Sequence, residues 1–351
     1  MRVIEFGPAP IVKSVYPSET VFVGIGADSS GESDATTFDF SLGNICRIRS
    51  LLQEPSLDAV WVTRGSSQHD AIGVAALIRL AANRRVLQRG VPMLRIFGDR
   101  ILRFGAHAPI IVFDPADAPF APRNALWLWR RAAAVFKREM PLDRWRLFMR
   151  TAHASLPTPR FRRLARYRAI IDKLRPMSLG LSTETEGLIP AQIPPKVADV
   201  FFAGGVDGNS YVRETGLREL AALRDHGDDI DIAEERLSRA DFFHRCGQAR
   251  LVWSPEGFGH DTFRHYEAAA CGAVPLISRP TIEQYAPFRE GETAFFYDPE
   301  PGGLAAAIRR ALERREELAA MGRAARAHAL AHHSAKARVD HMLAAIAVRR
   351  E

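Results

Sequence analysis

Two short, uninterrupted apolar runs, Leu251–Trp253 and Val274–Ile277, flank a loop punctuated by Gly257 and Gly259 and a stretch of good helix formers, Thr262–Cys271. Runs that are apolar at every position suit strands covered on both faces, as in a parallel sheet. A parallel pair needs a crossover, and the intervening stretch supplies one as a helix. The spacing therefore predicts a β-loop-α-β unit. Ligands of such sheets sit where loops leave the carboxyl ends of strands, and a helix N-terminus arriving there presents unpaired N–H groups to an anion. A phosphate-bearing ligand is the expectation.

The side chains narrow it. Gly257 and Gly259 allow close approach of backbone to ligand, and Asp261 or Thr262 can cap the helix that follows. Arg264 and Glu267 are three apart and share a helix face, with Arg264 nearer the phosphate end and Glu267 about one turn deeper. A guanidinium suits a diphosphate and a carboxylate suits the two hydroxyls of a ribose, so the pair outlines a nucleoside diphosphate. An isolated Arg–Glu pair at this spacing is ordinarily a solvated surface pair. Here Ala268, Ala269, Ala270, Cys271 and Gly272 follow, too small for a normal helix surface, and imply tight packing behind a site.

The order Pro255-x-Gly257, six residues, Arg264-x-x-Glu267-Ala268 and then Gly272-Ala273-Val274-Pro275 resembles the donor-site signature of exostosin-type glycosyltransferases. It is similar also to the related bacterial spore-maturation-type and group 1 glycosyltransferases. The resemblance runs from about Asp199 to His333. It implies an α/β protein of the GT-B fold, with two Rossmann-like domains whose parallel sheets face a central cleft. It implies transfer of a sugar from a nucleoside-diphosphate sugar to the hydroxyl of a glycan, lipid-linked or small-molecule acceptor, with no bound metal and no resident cofactor, the nucleotide sugar being a co-substrate. Glu256, Gly257, Phe258, Gly259, His260, Asp261, Thr262, Arg264 and Glu267 then belong to the donor site, His260 and Asp261 against the sugar. In these families the strand corresponding to Asp199–Ala203 opens the donor domain, and a basic residue soon after it reaches the diphosphate. Gly204 and Gly205 provide the room and Arg213 is the candidate, the other reading of Arg213 being an exposed helix arginine. Glu256 and Glu267 stand farther apart than the paired glutamates of retaining group 1 enzymes, so the stereochemical outcome stays open.

A chain of 351 residues is long enough for two α/β domains with separate cores. Thr20–Ile25, Ala59–Thr63, Met93–Phe97 and Pro109–Phe113 read as strands, with helices over Ala71–Leu87 and Asn124–Glu139 between and after them. They define an acceptor domain over 1–180, followed by a donor domain over 181–335 and a helix over 336–351 that crosses back to the first. Pro176–Pro195, rich in proline and glycine, reads as the linker. In an inverting reaction the acceptor hydroxyl needs a general base. Asp117, past the strand ending at Phe113, and His69 beside Asp70, past the strand ending at Thr63, are the candidates at carboxyl ends, each alternatively a capping or surface residue. Adjacent His332 and His333 point to different faces of a helix and read as surface.

The net charge of +7 is concentrated between Arg123 and Arg175, where arginines are interleaved with Trp127, Trp129 and Trp145. Such a segment either lies against an anionic membrane, or is a solvated helix face whose tryptophans are core. No nucleic-acid-binding module accompanies the charge. Residues 1–26 lack the plan of a signal peptide and no stretch has the roughly 20 apolar residues of a membrane span. The expected location is the cytoplasm, free or at the inner face of the membrane. Cys46, Cys246 and Cys271 have neither metal-ligand spacing nor scaffold density and are expected to be reduced. An epimerase or phosphorylase of similar architecture, or a non-catalytic scaffold, are the competing readings. A phosphorylase would show a lysine for pyridoxal phosphate, and none is identified.

Overall fold

The computed structural model describes residues 1–25, 35–64, 98–121, 125–149, 165–205 and 210–347. The expected helix over Ala71–Leu87, the strand Met93–Phe97, His69 and Asp70 lie outside them. The chain divides into two compact units, one comprising 1–177 with 339–351 and the other 178–338.

Among the described residues the first unit holds a seven-stranded parallel sheet in the order Thr37–Asp39, Thr20–Gly24, Val3–Gly7, Ala59–Thr63, Ile110–Asp114, Ala134–Lys137, Leu174–Pro176. Chain order reverses at Val3–Gly7, as in a Rossmann-type sheet. All five residues of Ala59–Thr63 and of Ile110–Asp114 are buried, so the unbroken apolar runs reflect cover on both faces. One departure from expectation stands out. The helix predicted over Asn124–Glu139 is confined to Leu126–Arg131, and Ala134–Lys137 is a buried strand between Ile110–Asp114 and Leu174–Pro176. A short apolar run such as Ala132–Phe136 is compatible with either element, and pairing on both edges decides for the strand.

The second unit holds a five-stranded parallel sheet in the order Ile230–Ile232, Ala198–Phe202, Ala249–Ser254, Val274–Ser278, Phe295–Tyr297. Side chains alternate between two cores. Phe202, Leu251, Trp253, Val274 and Leu276 pack with Leu220, Leu304 and Ile308 on one face. Phe201 and Val252 pack with Phe243, Cys246, Ala268 and Cys271 on the other. The small residues Ala268 to Cys271 are all fully buried, and Gly272 turns the chain at φ +79, where an added Cβ would lie 2.5 Å from Ile193. Numbering the strands along the chain gives the order 2-1-3-4-5, and its switch point falls between Ala198–Phe202 and Ala249–Ser254. The stretch read as a linker contains a helix, Thr183–Glu186, capped by Ser182, whose Oγ accepts from the Thr185 N–H at 3.1 Å. His333 is not at the surface: it is 1 % exposed, whereas His332 is exposed. Its Nε2–H donates to the Ala286 carbonyl at 2.9 Å, which leaves Nδ1 to accept from Ser178 Oγ at 2.8 Å.

Candidate functional site

The loops leaving both strands of the switch point carry the residues singled out from sequence. After Ser254 the chain is tied to the neighbouring strand by the Glu256 N–H, which donates to Ser278 Oγ at 2.9 Å. The Gly257 N–H donates to the Gly259 carbonyl at 3.0 Å and closes a tight turn with Phe258 at its tip, 82 % exposed. His260 bridges Glu256 Oε2, 2.9 Å from Nδ1, and Thr281 Oγ1, 2.8 Å from Nε2. Below it the buried His265 holds the loop, its Nε2–H donating to the His260 carbonyl at 2.9 Å and its Nδ1 accepting from Ser254 Oγ at 2.6 Å.

The Phe263–Ala270 helix follows, with Thr262 in the capping position but making no side-chain cap bond. Asp261 does not cap it either. Asp261 is buried, its carboxylate accepting from the Leu179 N–H at 2.7 Å and from the Tyr266 hydroxyl. The expectation that one of these two residues caps the helix is therefore corrected: the Asp261 carboxylate anchors Leu179, and Thr262 makes no side-chain cap bond to the helix N-terminus. An uncapped N-terminus at a strand switch point is suited to an anion.

Two guanidiniums stand beside it. Arg264 Nη2 donates to the Ala203 carbonyl at 2.7 Å and its head lies 5.3 Å from the Phe202 ring centroid, while its Nε is shielded from solvent and has no hydrogen-bond partner among the described residues. Arg213, on the helix Tyr211–Asp225 opened by Ser210, donates from Nε to the Glu256 carbonyl at 3.1 Å and from Nη1 to the Gly205 carbonyl at 3.0 Å. The glycines make this possible: a Cβ on Gly204 would lie 2.5 Å from Arg264 Nη2, and one on Gly257 3.1 Å from Arg213 Nη2. Burial, and then the charge of Arg213, pulls the Arg264 guanidinium down to about 10, and burial lowers Arg213 as well. Neither arginine has an ion-pair partner among the described residues, an arrangement that favours entry of an anion.

Glu267 lies a turn further in, 6 % exposed. Burial raises its pKa, opposed first by Arg239 and then by Arg264. Arg239 escaped the sequence reading. Its Nη1 donates to Glu267 Oε1 at 3.0 Å and its Nη2 to Thr185 Oγ1 at 3.0 Å. Only the packing of the Arg239–Gln248 helix beside Phe263–Ala270 brings it there, and no local spacing signals it. Of the two base candidates, Asp117 has a half-exposed side chain and is ion-paired with Arg138, and His69 is outside the described residues. Among the described residues no group of three His, Cys, Asp or Glu side chains is placed to hold a metal ion, and no helix is long and apolar enough to cross a membrane.

Two Rossmann-like units, the second with an anion-ready switch point, define the GT-B class. Solved structures agree. Sucrose-phosphate synthase from Thermosynechococcus elongatus is similar over 100% of this chain and 99% of its own, with a TM-score of 0.56 at 12% identity. A glycosyltransferase from Rickettsia africae is similar over 98% of this chain and 96% of its own, with a TM-score of 0.57 at 10% identity. These likenesses establish the fold. Residues 220–344 match the glycosyl transferase-like family, and the chain as a whole has the GT-B fold of these structures. No curated protein sequence matches it.

Proposed function

We propose that the second unit binds a nucleoside-diphosphate sugar and that the enzyme transfers the sugar to an acceptor hydroxyl without a metal ion. The observation that carries this reading is the pair Arg213 and Arg264, two partly desolvated cations side by side whose hydrogen bonds in the described residues go to main-chain carbonyls alone. Breaking the bond between the anomeric carbon and the diphosphate builds charge on the leaving phosphate. The two guanidiniums and the uncapped helix N-terminus meet that charge, the role a metal ion would otherwise take. Glu267 accepts from the ribose hydroxyls, and the loop Glu256 to Asp261 lies against the donor, with His260 the side chain nearest the sugar. The acceptor proton passes to a base, for which Asp117 and His69 are the candidates.

The acceptor side of the proposal includes peripheral contact with an anionic membrane at the cytoplasmic face. In the first unit Arg103 stacks 4.8 Å from the Trp127 ring, Arg49 lies 5.8 Å from the Phe104 ring, and Arg131 holds the Leu102 carbonyl at 2.7 Å. Phe104 is 78 % exposed, and Arg49, Arg103, Arg130 and Arg131 are exposed with no acidic partner among the described residues. Cations around an exposed aromatic suit a charged headgroup layer.

A thermal-shift panel of UDP, GDP, ADP, CMP and dTDP tests the donor reading. One or more diphosphates should raise the melting temperature, and the sugar of the matching donor should be released or transferred as well in EDTA as without it. A panel that moves nothing, or activity abolished by EDTA, overturns the proposal.

A further inference from the structure

Arg239 is held on three sides. Nη1 donates to Glu267 Oε1 at 3.0 Å, Nη2 donates to Thr185 Oγ1 at 3.0 Å, and the head lies 5.3 Å from the ring centroid of the buried Phe243. Thr185 Oγ1 also accepts from Ser182 Oγ at 2.8 Å, so the far arm of the fork is tied to a capped turn. A planar guanidinium fixed at both ends by separate acceptors has little freedom to rotate. Glu267 is engaged through one oxygen only, leaving Oε2 without a protein partner among the described residues. We propose that Arg239 is a positioning residue: by occupying Oε1 it aims the free Oε2 at the ribose hydroxyls of a nucleoside diphosphate, an inference that rests on the donor-site reading of Glu267.

Arg239 also governs the charge of that carboxylate. Burial drives Glu267 toward its protonated form, and Arg239 is the largest opposing influence, ahead of Arg264 on the same helix. The other titratable groups facing Glu267 are Cys246 and Cys271, whose thiols burial pushes up, so they stay neutral and contribute no compensating charge. Without Arg239 the carboxyl should take up a proton at a pH where the native one is ionised, and a protonated carboxyl loses the acceptor strength that a ribose hydroxyl uses.

The test is calorimetric titration of UDP, GDP and ADP into the native protein, Arg239→Ala, Arg239→Gln, Arg239→Lys and Glu267→Ala, between pH 6 and 8.5. For the diphosphate that binds, affinity of the Ala and Gln variants relative to native should fall with pH, by about tenfold for each unit below the raised carboxyl pKa. Lysine should restore a flat ratio, and Glu267→Ala should bind weakly at every pH. A pH-independent ratio for Arg239→Ala and Arg239→Gln, with Glu267→Ala still weak, overturns the role of Arg239 and leaves the donor site standing. Native-like binding by Glu267→Ala, or no nucleotide bound by the native protein, overturns both. The Gln variant keeps a hydrogen-bond donor without the charge, which separates loss of ionisation from collapse of the Thr185 tie.

Discussion

Arg264 owes its chemical character to burial without an ion-pair partner among the described residues. A buried guanidinium satisfied by a carbonyl at one nitrogen, with no hydrogen-bond partner at another among the described residues, is costly to the protein, and an oxyanion in the proposed donor site would offset that cost. Charged hydrogen bonds are each worth about 1.5–3 kcal/mol. Arg264→Ala and Arg213→Ala should therefore each weaken nucleoside diphosphate binding by about 10- to 100-fold in calorimetry, with the far-UV spectrum unchanged. Gly204→Ala is a sharper probe because it alters no charge. Its Cβ would sit 2.5 Å from Arg264 Nη2, so the head must leave the Ala203 carbonyl, and diphosphate affinity should fall while the melting temperature changes by only a few degrees. Native affinity in Gly204→Ala would show that the observed place of the Arg264 head is not the one that binds.

Among the elements, the helix Leu318–His333 links burial to pH through its last residue. The His333 ring is neutral by construction, since Nε2–H faces a carbonyl and Nδ1 faces a hydroxyl. A second proton would have to displace the Ser178 hydroxyl, next to His328, His332 and Arg338, which also oppose the added charge. Burial, the largest cause, takes the pKa from 6.5 to about 3. The unfolded chain thus binds a proton that the folded chain refuses, so this contribution is fully present above pH 6.5 and is lost as pH falls toward 3. The native protein should lose up to roughly 1.4 kcal/mol per pH unit from this group across that window. In urea unfolding, His333→Gln should be less stable at neutral pH and flatter with acid. Parallel curves for the two proteins would refute it. At the same scale, the fate of Ala134–Lys137 shows how a helix former becomes a strand. Its four residues are all buried, and the pairing on either edge outweighs their weak local preference.

At the scale of the whole molecule, positive charge is patterned as well as abundant. If the Arg103–Phe104–Trp127 face meets a bilayer, vesicles containing phosphatidylglycerol should bind the protein and neutral phosphatidylcholine vesicles should not. Added salt should weaken the binding. Arg103→Glu with Phe104→Ser should reduce it by about tenfold or more, each basic residue near an anionic surface being worth about 1 kcal/mol. Equal binding to both vesicle types, or binding of nucleic acid in their place, would sink the idea. The order of elements around the Glu256–Asp261 loop was legible in the sequence because apolar runs bounded by glycine leave few alternatives to a covered parallel strand, and because helix spacing alone sets Arg264 and Glu267 on one face. Tertiary structure decided what those side chains touch. That Ala203 receives Arg264, that Arg239 holds Glu267, that Asp261 turns inward to Leu179 and that His333 is buried all depend on how segments far apart in the chain pack. Periodicity records which face of an element is apolar, whereas the partner that covers it is chosen only when the crossovers close.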